Sequence, residues 1–154
     1  MKIVKNMTNK GMVRIFFQII SLFGTPFFYI PVIVYLFEIN FNLAINLIFI
    51  LIFTEIVCGV IKYIYPKDRP VPMPNKTFVQ KYFAGSFPSV HTARITAFSI
   101  TFILFNTNKI FILIGLLLIT VVGYSRIYLK KHYFIDVLGG FLIGAIIGFA
   151  ALFL

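Results

Sequence analysis

Four apolar stretches, residues 43–64, 88–106, 110–128 and 133–154, govern what this chain can fold into. Each approaches the roughly 20 residues an α-helix needs to cross the hydrocarbon core of a bilayer. Lipid offers no hydrogen bonds, so every backbone N–H and C=O there must be satisfied within the segment, which requires helix. The rest of the sequence agrees. Of its 154 residues, 60% are hydrophobic and 12% charged, and the mean hydropathy is +1.01. A soluble domain of this size has too little interior to hide that much apolar surface. The breaks between stretches are short and polar: Asn106–Lys109 in one case, Lys130–His132 in the other.

Residues 11–38 admit two readings. They form one long span, or they break at Gly24-Thr25-Pro26, leaving residues 9–23 as a helix lying in the interface. Lys2, Lys5 and Lys10 ahead of an apolar run from Met12 resemble the charge pattern of a signal peptide. No small-x-small cleavage site precedes Pro26, so the segment is expected to be retained. The expected fold is an all-α integral-membrane bundle of about five transmembrane helices. It forms a single domain over residues 1–154, with 1–23 either interfacial or part of the first span. One sizeable loop remains, 66–87, carrying Pro66, Pro70, Pro72 and Pro74, which oppose a regular helix. It also carries Lys67, Arg69, Lys76 and Lys81, and it is expected to contribute to a site.

Alternation of the spans then sets a topology. The stretch 43–64 ends where the loop begins, and 88–106 starts where it ends; 110–128 returns to that side, and 133–154 leaves from it. Lys62, Arg69, Ser89, His91, Arg126 and His132 are therefore expected at one membrane face. Ionisable residues near membrane depth are costly, so such a gathering points to function.

The net charge is +10, with 14 Lys and Arg against Glu38, Glu55, Asp68 and Asp136. Anionic lipid or a phosphate-bearing substrate fits this balance, and nucleic acid does not fit a chain this apolar. Cys58 stands alone, so the chain holds no internal disulfide. His132 and Asp136 are four apart, which on a helix puts them on one face. A carboxylate that fixes one imidazole nitrogen leaves the other free as a nucleophile, although the same pair also serves as a plain structural hydrogen bond. Two histidines and few carboxylates make a poor zinc site. Pro88 suits the first turn of a helix and Ser89 can cap it or bind nearby, and the free N–H groups of a helix start suit a phosphate. His91, one turn in, is placed to exchange protons, or is an ordinary satisfied histidine. Lys62, Arg69 and Arg126 would stabilise a phosphoryl group in transfer, or snorkel to headgroups.

Taken together, Lys62 to Pro70 as K-x6-R-P, Pro88 to His91 beside P-S-G-H, and Ser125 to Asp136 as S-R-x5-H-x3-D resemble the type-2 phosphatidic acid phosphatase superfamily. The resemblance implies metal-independent hydrolysis of a membrane-lipid phosphate, with no cofactor. His132 would form a phosphohistidine, Asp136 would orient it, and His91 would act as acid and then as base. Lys62, Arg69, Ser89, Val90 and Arg126 would hold the phosphate. Lipid A 1-phosphate, undecaprenyl pyrophosphate, phosphatidylglycerophosphate and phosphatidic acid all fit as substrates. A lipid-linked phosphotransferase and a non-catalytic lipid-phosphate binder or transporter are the alternatives. The chain departs from the pattern in having Val90 where glycine is usual, and about one span fewer than the family's six. The resemblance also implies a site on the extracytoplasmic face of the inner membrane, whereas the basic residues gathered at that face argue for the cytoplasmic side. Oligomeric state is not encoded in these signals.

Overall fold

The computed structural model describes residues 2–106 and 108–153, with side chains from residue 11 onward; Lys2, Lys5 and Lys10 lie outside the described side chains. The described elements are helical: α1 (Lys2–Ser21), α2 (Pro26–Ile39), α3 (Phe41–Ile64), α4 (Phe78–Ala84), α5 (Val90–Phe105), α6 (Lys109–Tyr128) and α7 (Phe134–Ala150). Two short 3₁₀ turns, Leu22–Gly24 and Ala151–Phe153, follow α1 and α7.

Among the described residues, three helices are long and apolar enough to cross a membrane alone: Phe41–Ile64, Lys109–Tyr128 and Phe134–Phe153. Gly11–Gly24 and Pro26–Ile39 qualify together as a fourth, broken span bent by 47°. The first stretch is thus interrupted at Gly24-Thr25-Pro26. Pro26 lacks an N–H and suits the first turn of a helix, so the chain restarts there as α2. α1 meets the end of α6 through Phe17, whose ring lies 5.4 Å from Tyr124 and 4.4 Å from Tyr128.

α5 corrects the expectation of four full-length spans, because it has only 16 residues. Its surroundings explain how a short helix is tolerated. α5 packs against α7, α6 and α3, most extensively against α7, and nine of its residues are buried, including Thr92, Thr96, Ser99 and Thr101. A helix enclosed by others need not match the bilayer thickness, and it can carry hydroxyl groups that lipid would reject. The lipid-facing burden falls on neighbours such as Phe49, Ile52, Ile56, Leu116, Leu117 and Ile146, all of them exposed.

Close approach of α5 and α7 depends on small residues. Gly140, Gly144 and Gly148 recur every four positions, so they line one face of α7. A Cβ at Gly144 would stand 2.3 Å from the Ala93 carbonyl oxygen, and one at Gly140 2.4 Å from that of Ser89. α3 sets the other wall. Its buried stripe runs Leu43, Leu47, Ile50, Thr54, Cys58 and Lys62 at helical spacing, which carries Lys62 to the inner face at the end of the helix.

The loop 66–87 is not wholly irregular. Past Pro74, the last of its prolines, Thr77 and Gln80 form a capping box that starts α4.

Candidate active site

The alternating topology brings the three sequence pieces together. After α4, the Gly85 carbonyl accepts from Lys62 Nζ at 2.5 Å and from Arg69 Nη2 at 3.4 Å. One residue on, the Ser86 carbonyl lies 2.8 Å from His132 Nδ1, and the Ser86 N–H donates to Lys67 O at 2.7 Å. Residues 85–86 therefore strap both cations and the histidine to one place. The starts of α5 and α7 touch as well, since Ser89 N donates to Asp136 O at 2.9 Å.

His132 and Asp136 do not share a helical face as expected. Just past the end of α6, Lys130 lies in the left-handed region, at φ 54°, and the N–H groups of Lys131 and His132 fold back onto Arg126 O at 3.0 and 3.2 Å. His132 thus sits in the turn before α7. Its Nδ1 is 3.9 Å from Asp136 Oδ2, beyond hydrogen-bond reach. Asp136 is instead engaged by Lys67 Nζ at 2.6 Å, by the Tyr133 N–H at 2.8 Å and by the Ser86 hydroxyl. The reason is local: an acid in the first turn of a helix captures the free N–H at that terminus. Because a carbonyl oxygen only accepts, neutral His132 carries its proton on Nδ1, and Nε2 keeps its lone pair.

A cavity of about 80 Å³ lies beside this strap, lined by residues that include His132, His91, Val90, Lys62, Arg69 and Arg94. That is far below the roughly 300–1,000 Å³ of a drug-sized ligand pocket, so it suits a small anionic group and leaves a lipid tail outside. Arg126 is buried next to His132, with Nη1 on the Ser21 hydroxyl. The Nε groups of Arg69 and Arg126 are buried without a protein partner. Buried donors are almost always paired, so the unpaired Nε of Arg69, which lines the cavity, fits an anion there, and Arg126 adds its charge from beside His132.

Val90 opens α5 in ordinary helical conformation, so valine in place of the usual glycine carries no backbone penalty. Ser89 occupies the N-cap position without a side-chain cap bond, and its Oγ accepts from Thr92 Oγ1 at 3.0 Å. Pro88 therefore precedes the cap and is not in the first turn. His91 packs against Gly24, where a Cβ would stand 2.7 Å from His91 Cβ. Lys76, Lys81, Lys130 and Lys131 are exposed, as solvated charges should be. The sequence reading missed Lys67, Ser86 and Arg94. Arg94 and Glu55 carried a readable signal, being opposite charges inside different apolar stretches.

Burial, helped by the charges of Arg126, Arg69 and Lys62 and opposed by the Ser86 contact, pushes the His132 imidazole down to about 2. Burial likewise lowers Arg69, with Asp136 opposing. His132 is thus neutral when folded, with a consequence for stability. Above about pH 6.5 neither folded nor unfolded His132 binds a proton; below it only the unfolded chain does. Stability in detergent is expected to fall as pH is lowered from about 6.5, by up to about 1.4 kcal/mol per pH unit from this residue. A series of Tm against pH should show that slope, reduced in His132→Asn. Equal slopes in the two proteins would contradict the assignment.

Long apolar helices around a cluster of two histidines and several cations define a multi-pass membrane protein with a candidate anion site at one end of its bundle. The chain belongs to the PAP2 superfamily, whose family model matches residues 43–153. It is 28% identical over 134 residues to an undecaprenyl-diphosphatase of Sulfolobus acidocaldarius, covering 84% of this chain and 65% of that protein. It is 39% identical over 93 residues to undecaprenyl-diphosphatase BcrC of Bacillus subtilis, covering 58% of this chain and 46% of that one. It therefore spans about half to two thirds of the length of the curated relatives it matches. In fold it is similar to the crystal structure of Aquifex aeolicus LpxE, with a TM-score of 0.79 at 24% identity over 93% of this chain and 87% of that one. The same holds for a transmembrane PAP2-type phosphatidylglycerolphosphate phosphatase from Bacillus subtilis, with a TM-score of 0.75 at 23% identity over 91% and 75% of the two chains.

Proposed function

We propose that this chain hydrolyses a terminal phosphate from a membrane lipid, with His132 as nucleophile and no metal. The observation that carries the reading is His132, its Nδ1 tied to the Ser86 carbonyl, lining the same small cavity as His91 and Arg69. His132 Nε2 attacks phosphorus, the bond to the leaving oxygen breaks, and His91 donates a proton to that oxygen. His91 then takes a proton from water, whose oxygen attacks the phosphohistidine; the P–N bond breaks and His132 is restored. Lys62, Arg69, Arg126, the Ser89 hydroxyl and the Val90 N–H hold the equatorial oxygens as charge builds. Asp136 acts on His132 through Ser86 and through its charge 3.9 Å away, which favours the cationic intermediate.

Residues 1–154 work as one membrane-embedded unit, with 66–87 as the loop over the site. Among substrates we place a polyprenyl diphosphate first, because curated relatives bear that activity in their names. Lipid A 1-phosphate, phosphatidylglycerophosphate and phosphatidic acid complete the test panel. Purified protein is expected to release inorganic phosphate from at least one of the four in the presence of EDTA. Release that requires a divalent ion, or none from any lipid, overturns the reading.

The site is proposed to face the extracytoplasmic side of the cytoplasmic membrane. Lys131 is exposed beside it and the native Cys58 is buried, so Lys131→Cys makes a clean reporter. Labelling by an impermeant maleimide in intact cells supports this orientation, and labelling only after lysis reverses it.

A further inference from the structure

Resting on the phosphatase reading, we propose that Arg94 binds the phosphate on the leaving-group side of the bond that breaks, and so selects lipid diphosphates over lipid monophosphates. Arg94 follows His91 by one helical turn on α5. It lines the small cavity with His91 and His132, and it also lines a second space of about 410 Å³ between α2 and α3. That space is an apolar groove. Its walls include Tyr29, Ile33, Ile48 and Leu51, and Glu55, Arg94 and Pro26 mark its end towards the site.

A lipid with its reacting phosphorus in the small cavity and its tail in this groove must run its linking atoms past Arg94. In a monoester those atoms are an ester oxygen and carbon, which give a guanidinium little to grip. In a diphosphate they are a second phosphate. When His132 attacks the terminal phosphorus of a diphosphate, the bond to the bridging oxygen breaks and its electron pair stays on that oxygen. The leaving group is then a lipid monophosphate, whose new charge a nearby arginine stabilises directly.

Arg94 is held ready for this. Its Nε donates to Glu55 Oε2 at 2.8 Å, Nη2 contacts the same oxygen, and Nη1 donates to Gly24 O at 3.2 Å. The Tyr82 hydroxyl fixes the other carboxylate oxygen. Three of the guanidinium's five N–H groups are thereby used, and two remain to meet an anion. An ion pair at this depth is costly to keep, which fits a role beyond packing.

The test compares phosphate release from a polyprenyl diphosphate and a polyprenyl monophosphate of equal chain length by the full chain in detergent. In Arg94→Gln the ratio of kcat/KM for diphosphate over monophosphate is expected to fall about 10²-fold, with partial rescue in Arg94→Lys. If Arg94→Gln does not fold, Glu55→Gln serves, because it releases the guanidinium and should also move that ratio. Equal losses on both lipids would assign the pair a structural role and overturn the proposal, as would an unchanged ratio. A parent protein inactive on both lipids would instead sink the phosphatase reading on which the proposal rests.

Discussion

Replacing His132 with asparagine is expected to lower phosphate release by roughly 10⁴- to 10⁶-fold while the protein stays folded. The asparagine amide can take the place of Nδ1 and donate to the Ser86 carbonyl, so the strap at residues 85–86 keeps its partner. What disappears is the Nε2 lone pair. Lys62, Arg69 and Arg126 are untouched, so lipid should still bind, and the loss should fall on kcat more than on KM. The loss should be visible in a phosphate-release assay beside a thermal melt of the same preparation. Activity within tenfold of the parent would mean that another group attacks phosphorus.

The largest expected effect on stability comes from Gly144→Val. A Cβ there meets the Ala93 carbonyl oxygen at 2.3 Å and Thr96 Cβ at 2.8 Å. The first obstacle is helix backbone, which cannot rotate aside as a side chain would. α5 and α7 must separate, and their contact is the most extensive in the bundle. Overpacking of this kind costs about 3 kcal/mol or more. The separation should also disturb the site, because Ser89 and Asp136 begin these two helices and hydrogen-bond to each other. Gly11→Ala provides the contrast, having nothing within 4 Å of the added Cβ. Melting in detergent should show a large drop for Gly144→Val and little change, or a small gain, for Gly11→Ala.

Much of this architecture was legible in the sequence, and the reason is physical. Lipid forces helix on any long apolar stretch, and alternating spans then decide which ends share a face. That was enough to bring Lys62, Arg69, Ser89, His91, Arg126 and His132 together. Lateral contacts are another matter. The Ser86 carbonyl that holds His132 is 46 positions away, and Lys67 reaches Asp136 across 69. No local periodicity reports such pairs. The i, i+4 rule failed for His132 and Asp136 because the turn at Lys130 delays the start of α7 until Phe134. The shortness of α5 is tolerated because its neighbours enclose it, and composition does not reveal that enclosure. The spacing Gly140-x3-Gly144-x3-Gly148 does carry a helix-packing face in the sequence itself.

On the proposed mechanism the phosphoryl group passes through His132. The most direct measurement is to quench the protein during turnover of a terminally ³²P-labelled lipid diphosphate and map the label by peptide mass spectrometry. An acid-labile, alkali-stable phosphoramidate is expected on His132 of the parent and absent from His132→Asn. Label on any other residue, or full turnover without a labelled protein at any quench time, would contradict it.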